Sequence, residues 1–487
     1  MRNKIEKILL IQSPNPKGKV VLRDHAGKFG IVEKKTSVVR YDKLPPLDLA
    51  YAASLLEENR FKADIIDSPT MNYNKETILK MISEKKPDLI FVNTSGSSIS
   101  SDLDIANYLK NSTGIETIGL TQVYYPEKIL KKTDIKFFIR GEIEYTILEF
   151  CQKYPKIKKI KGLIWKKGNK FFYNKKREFI KNLNELPFPA YHLLPMDRYS
   201  HHMFKKKNFF TVLTSRGCPF SCIYCPYPLG YGSIWRSRDP ENVLEELELL
   251  TEKHNVKSIL FRDQVFNLNP KRAEKICDGI IRRGIDIEWR CEARVELFSK
   301  ELLKKMKVSG CKAIHLGIES GDINILKEIA KGGISKNHIQ KVKEVFNHAR
   351  EIGIETVAFF MVGFPNETKE SVSKTFKLAK EINASEAWFC SMVPYPGTEL
   401  HEIAKKEGWL LTDDIEDYTG RDVVMVTNCL TKKEIKDSVE TGNALFFKDN
   451  TNFLKTVFNL KSIESALLDP KKAIKLTLGR FRKGEVK

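Results

Sequence analysis

The segment SRGCPFSCIYCPYP sets Cys218, Cys222 and Cys225 in a C-x3-C-x2-C arrangement. Thiolates are the natural ligands of iron-sulfur clusters, and three of them on a four-iron cluster leave one iron open to chelation by the amino and carboxylate groups of a small ligand. Structural zinc is the competing reading, but such sites close with four ligands and commonly come as paired motifs. No His or Cys follows closely enough to complete one. The chain has nine cysteines, an odd number, with three inside eight residues, which suits a metal site better than a disulfide framework. Cys291, Cys311 and Cys390 fall on apolar strands or their edges and read as buried, inert thiols.

These residues need elements to hold them. The first section alternates strands (KILLIQSP, ADIIDSP, KPDLIFVNTSG, GIETIGL, IKFFIRGE) with amphipathic helices such as PLDLAYAASLLEENRF. That alternation predicts a doubly wound parallel sheet over residues 1–150, with ligands at the strand carboxyl ends. Residues 151–205 read as a linker containing a hairpin around Lys167, Gly168 and Asn169, followed by the proline-punctuated NLNELPFPAYHLLP. A second series, FFTVLTSRG, KSILFRDQVF, IEWRCEARV, AIHLGIES, ETVAFFMVGFP and EAWFCSMVPYP, alternates with helices over 206–410. Six such units predict a partial parallel barrel whose working face lies where the cysteine loop begins. Residues 411–487 read as a small helical appendage with a basic tail from Lys471 to Lys487.

The cysteine loop, with CEARVELFSKELLKKMKVSGCKAIHLGIESG and MVGFPNET behind it, resembles the radical S-adenosylmethionine (SAM) superfamily. The likeness is strongest to the branch that carries a cobalamin-binding domain before the barrel, and it covers roughly residues 1–410 in order. It implies a 4Fe-4S cluster on Cys218, Cys222 and Cys225, with Tyr224 near the adenine of bound SAM. Asp263 and Gln264 take the position of polar groups that approach the methionine end; a helix-capping turn is their other reading. Arg294, Glu319 and Ser320 match the stretch that contacts the ribose and methionine parts, and burying a carboxylate at the end of an apolar strand independently favours a polar ligand there. Gly363, Phe364 and Pro365 resemble the segment whose backbone supports the adenine, and PYPGT (Pro394 to Thr398) closes the last strand.

In the front section PPLDLAYAASLLEENRF and FIRGEIEYTILEF resemble hallmark segments of the cobalamin-binding domain. The loop between them departs from the pattern: IGLTQVYYP keeps Gly119, but Leu120 replaces a second glycine and Gln122 stands where His is usual. The resemblance implies radical hydrogen abstraction from an unactivated carbon, with cobalamin-dependent methyl transfer as the outcome and ring closure or rearrangement as the alternative. A non-enzymatic metal-containing binding module lies outside that class. The implied partners are a small-molecule or lipid-like substrate and an electron donor such as a flavodoxin or ferredoxin.

Composition narrows the setting. With 487 residues, 41% hydrophobic and 30% charged, the chain reads as a soluble protein of two or three domains. The longest apolar runs, such as Thr356 to Phe364, fall far short of the roughly 20 residues of a membrane-spanning helix. The start MRNKIEKILLIQSP lacks the apolar segment and cleavage site of a secretory signal, so a reducing, cytoplasmic location is expected. The net charge of +21 comes mainly from dispersed lysines, which describes a solvated surface rather than a nucleic-acid groove.

Overall fold

Short β-branched and aromatic runs alternate with amphipathic helices, and each run becomes a strand. The structure is a computed structural model that describes residues 5–34, 42–122, 127–204, 206, 208–331, 334–420 and 422–449, so the basic tail lies outside the described residues. The front unit holds β1 (Lys7–Gln12), β2 (Lys19–Leu22), β3 (Ile31–Lys34), β4 (Lys62–Asp67), β5 (Leu89–Asn93), β6 (Glu116–Gln122), β7 (Phe137–Arg140), β8 (Leu163–Lys167) and β9 (Lys170–Tyr173). Seven of them form one sheet in the order β4-β1-β5-β6-β7-β8-β9. The five strands from β4 to β7 in that order are parallel, as the alternation predicts. The hairpin β8-β9 is antiparallel and pairs Ile139 with Leu163. The hairpin expected between the two units is therefore the far edge of the first sheet.

Both faces of this sheet are covered. Leu9, Ile11, Ile90, Val92 and Phe138 pack with the helix Ile99–Thr113 on one side. On the other, Ile8, Leu10, Phe91, Ile118 and Leu120 join the helices Leu47–Glu58 and Glu144–Lys153 in a core that continues into the second unit. The sequence reading did not anticipate the β2-β3 hairpin, which folds over the carboxyl edge: Ser97 donates its N–H to Phe29 O at 3.1 Å. Its turn also reaches the second unit, where a Cβ on Gly27 would lie 2.5 Å from Pro226 O.

The second unit contains β10 (Phe209–Val212), β11 (Ser215–Arg216), β12 (Ser221–Cys222), β13 (Arg236–Ser237), β14 (Ser258–Phe261), β15 (Glu288–Ala293), β16 (Cys311–Glu319), β17 (Ala330–Lys331), β18 (Glu355–Val362) and β19 (Glu386–Ser391). Six run parallel in the order β10-β14-β15-β16-β18-β19, the partial barrel that the second series predicts. Helices wrap its outside, several capped by the residue before them, as where Asn269 accepts from Arg272 N–H and Ser299 from Leu302 N–H. Trp289 and Cys291 point outward into this helical layer, and burial pushes the Cys291 and Cys311 thiols up, as expected of inert cysteines. The helix Lys432–Asp449 packs on the last strand, with Asn443 bonded to both the N–H and C=O of Phe389. Among the described residues no helix is long and apolar enough to cross a membrane.

Gly119 lies inside β6, in register with Phe138, and a Cβ there would come 2.8 Å from the Phe138 ring. Gly119→Ala is expected to cost about 1–3 kcal/mol by overpacking, read as a lower denaturation midpoint at unchanged slope; an unchanged midpoint would mean that the ring can move away.

Candidate functional site

The cysteine loop follows β10 and is held on both sides. Asp263, just past β14 and wholly buried, accepts the N–H groups of Thr214 and Ser215 at 2.7 and 2.6 Å and also takes the Thr214 hydroxyl. Gly217 has φ +86, and any Cβ on it would stand 2.0 Å from Ile234 O, so only glycine fits immediately before the first cysteine. Cys218 N–H then donates to Gly232 O at 3.1 Å. Further along, β12 pairs with β17, Ile223 N–H reaches Ile329 O at 3.0 Å, and Leu400 N–H reaches Ile223 O at 2.9 Å. The PYPGT turn supports that last contact through Thr398, which accepts from His401 N–H and caps the helix Glu399–Lys406.

Cys218, Cys222 and Cys225 thus converge at the carboxyl end of the barrel, none of them in a disulfide. Burial pushes all three thiols up, Cys222 to about 11, and each sulfur's field adds to the next, because Cys225 feels Cys222 and Cys218. Arg294 opposes this rise at Cys222 and hydrogen-bonds it. The guanidinium lies 3.8 Å over the Phe220 ring and is fixed by Glu296, with contacts of 3.2 and 2.9 Å.

Tyr224 links this loop to two further strand ends. Its ring meets that of Phe364 edge-on at 5.7 Å, and its hydroxyl donates to Glu319. Glu319 sits where the β16 register shifts and has φ +64, the left-handed region that a non-glycine residue adopts only when its surroundings enforce it. Burial raises its carboxyl to about 7, against the pull of Tyr224 and Arg294. Gly363, with φ +104, and Phe364 donate their N–H groups to Glu367 at 2.6 and 3.3 Å, and the adjoining Pro365 is buried.

The structure therefore brings the three cysteines, Tyr224, Arg294, Glu319 and the Gly363–Phe364–Pro365 turn together. Asp263 lies apart, with its oxygens committed to the loop backbone beneath the site. Ser320 also turns away: its hydroxyl accepts from Asp322 N–H at 3.1 Å and meets Thr375 at 3.2 Å. Gln264 is half-buried. The sequence reading missed Glu367, whose only signal was its place after the G-F-P-N turn. It also missed the Phe220–Arg294–Glu296 stack.

Below the cysteines the strand register lines up inward-facing rows. Glu292, His315, Val357 and Glu386 share one level, and Gly317, Phe359 and Trp388 the next one up. Arg262 pairs with Glu292 at 2.9 Å. His201 and His202, stacked at 5.0 Å, reach this lumen with Asp42, whose oxygens lie 2.9 and 3.1 Å from His202 Nδ1 and 3.5 Å from His201 Nε2. Against its burial, the two imidazoles draw the Asp42 carboxyl down to about 2. Met203 N–H donates to His201 Nδ1, so Nε2 carries the ring proton and faces Asp42. Asp42 and the two imidazoles thus form one compact cluster, in which His202 is hydrogen-bonded to the carboxylate. An apolar and aromatic wall over a polar floor results.

Residues 212–379 match the family model described as the radical SAM superfamily. An uncharacterized methyltransferase of Pyrococcus horikoshii is 34% identical over 421 residues, which cover 85% of this chain and 90% of that one. The anaerobic magnesium-protoporphyrin IX monomethyl ester cyclase of Rubrivivax gelatinosus is 24% identical over 436 residues, 85% of this chain and 75% of its own. Among solved structures, the radical SAM methyltransferase TsrM from Kitasatospora setae, with cobalamin and a 4Fe-4S cluster bound, aligns with a TM-score of 0.69 at 16% identity over 91% of this chain and 89% of that chain. The cobalamin-dependent SAM radical enzyme OxsB aligns with a TM-score of 0.67 at 18% identity, covering 91% and 66%. At such identities these two likenesses speak for the fold.

Two outcomes follow from the geometry. Anaerobically reconstituted protein is expected to hold about four irons, and Cys218→Ala, Cys222→Ala or Cys225→Ala to abolish the cluster, as counted by iron and sulfide analysis; a full complement in all three variants would refute the ligand set. Glu367 is wholly buried, and burial lifts its carboxyl from 4.5 to about 7 against the two N–H bonds. A raised acid favours the fold below its unfolded pKa and loses that contribution as pH climbs through its folded one. Between pH ~5 and ~7.5 the wild type should therefore lose up to ~3 kcal/mol that Glu367→Gln does not lose, measured by denaturant titration across pH; parallel profiles would assign the loss elsewhere.

Proposed function

Because the chain belongs to the radical SAM superfamily, we propose that it cleaves SAM at a 4Fe-4S cluster held by Cys218, Cys222 and Cys225 and uses the resulting radical for cobalamin-dependent methyl transfer to a small molecule. The observation that carries this reading is the convergence of three buried thiols with Tyr224, Phe364, Arg294 and Glu319 at the mouth of one lumen. When bound, the cluster, SAM and cobalamin supply a 5′-deoxyadenosyl radical for hydrogen abstraction and a transferable methyl group. The rest falls to the protein.

Within that reading Tyr224, Phe364 and the backbone of Gly363 and Pro365 form the adenine side. Arg294 and Glu319 face the amino-acid and ribose side, Glu319 as an acceptor whose protonation is poised near neutrality. Asp263 and Ser320 hold the two loops from behind, and Gln264 is a further polar group beside the pocket. The lumen supplies Phe359 and Trp388 as a wall for an apolar body and His202, His315 and Glu386 for a polar end. An electron donor of the flavodoxin or ferredoxin kind supplies reducing equivalents, and a reducing cytoplasm suits the thiolates.

The front sheet offers donors that fit cobalamin. At the carboxyl ends of β1 and β4, Arg23 Nε and Nη1 and Ser68 Oγ are buried without a partner in the protein, and the amide and phosphodiester oxygens of cobalamin are acceptors. Gly119 does not provide a close approach, since Phe138 fills the space before it, and Leu120 is buried in the core on the other face. A second reading, ring closure without methyl transfer, is favoured by the cyclase among the relatives.

Reduced, reconstituted protein is expected to release 5′-deoxyadenosine slowly from SAM, and Glu319→Ala to slow this about ten- to a hundredfold at unchanged iron content, the worth of one bond to a charged group. Equal rates would remove Glu319 from the SAM site. In the same preparation, stoichiometric retention of hydroxocobalamin after desalting, seen in its visible spectrum, supports methylation. Loss of all cobalt with intact SAM cleavage would overturn the cobalamin assignment and leave ring closure as the reading.

A further inference from the structure

The two halves of the chain meet in a buried ionic joint directly behind the cysteine loop. Arg216 and Arg236 stand opposite each other in the short ribbon of β11 and β13, so their side chains share a face. Two adjacent guanidiniums would repel unless anions separate them. Both anions come from the front unit, at the start of the helix Glu144–Lys153. Arg216 Nη1 reaches Glu142 Oε1 at 3.2 Å and Nη2 reaches Glu144 Oε1 at 2.6 Å. Arg236 Nη1 holds both Glu142 oxygens at 2.9 and 3.0 Å, together with Ile180 O at 2.7 Å. The side chains of Arg216, Glu142, Glu144 and Arg236 are only 2%, 4%, 1% and 7% exposed. Two charges of each sign cancel, and the Tyr51 ring covers Arg216 at 5.3 Å.

From this joint to the first cysteine the chain has no slack. Gly217 is locked against Ile234 O, and Cys218 N–H is tied to Gly232 O. Any shift of the Glu142–Glu144 turn therefore passes through Arg216 into the Cys218 backbone. We infer that Arg216 is a positioning residue: it registers the cluster loop on the front sheet, so that glutamates 74 and 72 residues away in sequence fix where the cluster is held. Oriented ligands depend on such supporting contacts. The inference rests on the three cysteines holding a cluster.

The test uses the full-length, reconstituted chain. Glu142→Gln and Glu144→Gln are expected to load iron as the wild type does, yet to lose it to a ferrous chelator about tenfold faster and to alter the electron paramagnetic resonance spectrum of the reduced cluster with SAM. Arg216→Met/Glu144→Gln removes one charge of each sign; it should melt near the wild type and still lose iron quickly. Leu109→Ala opens a cavity on the far face of the front sheet, away from the joint. It should lower the melting temperature but keep the wild-type rate and spectrum. Unchanged iron loss and spectra in both glutamine variants, or equal acceleration in Leu109→Ala, would overturn the inference while leaving the cluster reading intact. A wild type that takes up no iron would overturn the cluster reading, and this inference with it.

Discussion

Everything at the mouth of the barrel depends on how the backbone between β10 and Cys218 is clamped. Between β10 and Cys218 the only regular ladder is the two-residue ribbon of β11 with β13, so the rest of this backbone needs partners elsewhere. Its donors are taken up from several directions. Asp263 receives two N–H groups from below, Gly232 receives the Cys218 N–H, and the Arg216 side chain is anchored in the front unit. Gly217 allows Ile234 to approach where no side chain would. The price is a series of buried charges, and each has a counterpart: Asp263 has the field of Arg272, and Arg216 and Arg236 have Glu142 and Glu144.

Two carboxylates near the site are raised to about the same value by the same cause and still serve different ends. Glu367 gives one oxygen to the Gly363 and Phe364 N–H groups and sits with no solvent access, so its work is to shape a turn. Glu319 is part-exposed to the lumen, forced into a left-handed backbone conformation and bonded to Tyr224 between two cysteines. A left-handed backbone at an accessible polar side chain is the feature that sets Glu319 apart from Glu367. The raised acidity alone would not have told the two apart.

What the sequence made legible follows from how local each signal is. The six barrel strands and the five parallel front strands each carry their own apolar period, and the cysteines carry their own spacing, so both could be read from a few adjacent residues. Glu319 stood out in the sequence because a charge ending an apolar strand is conspicuous. For Asp263 a capping turn was the other reading and Ser320 came only with the matched stretch; the fold is what shows their oxygens bonded to Thr214, Ser215, Asp322 and Thr375. The triad of Asp42, His201 and His202 joins positions about 160 residues apart, and no window of sequence contains it. The β2-β3 hairpin was hidden for a different reason: its strands are four residues long, both Val20 and Val21 of β2 are buried so that no alternation shows, and there is no partner sheet to extend.

That hairpin changes how the front sheet must work. In an open parallel sheet the carboxyl edge is where a ligand sits, but here Phe29 and Ser97 close part of that edge and Gly27 carries the hairpin across to Pro226. The departure at Leu120 therefore matters less than its position in a motif suggests, because Leu120 is absorbed into the core and Gly119 into its contact with Phe138. Arg23 is brought to that edge by the hairpin itself. It is fully buried, bonded to Asp102 at 2.7 Å, and still has two nitrogens without partners. A buried cation with spare donors is costly unless something accepts from it. The same hairpin thus both covers part of the sheet edge and leaves buried, unpartnered donors of Arg23 beside it.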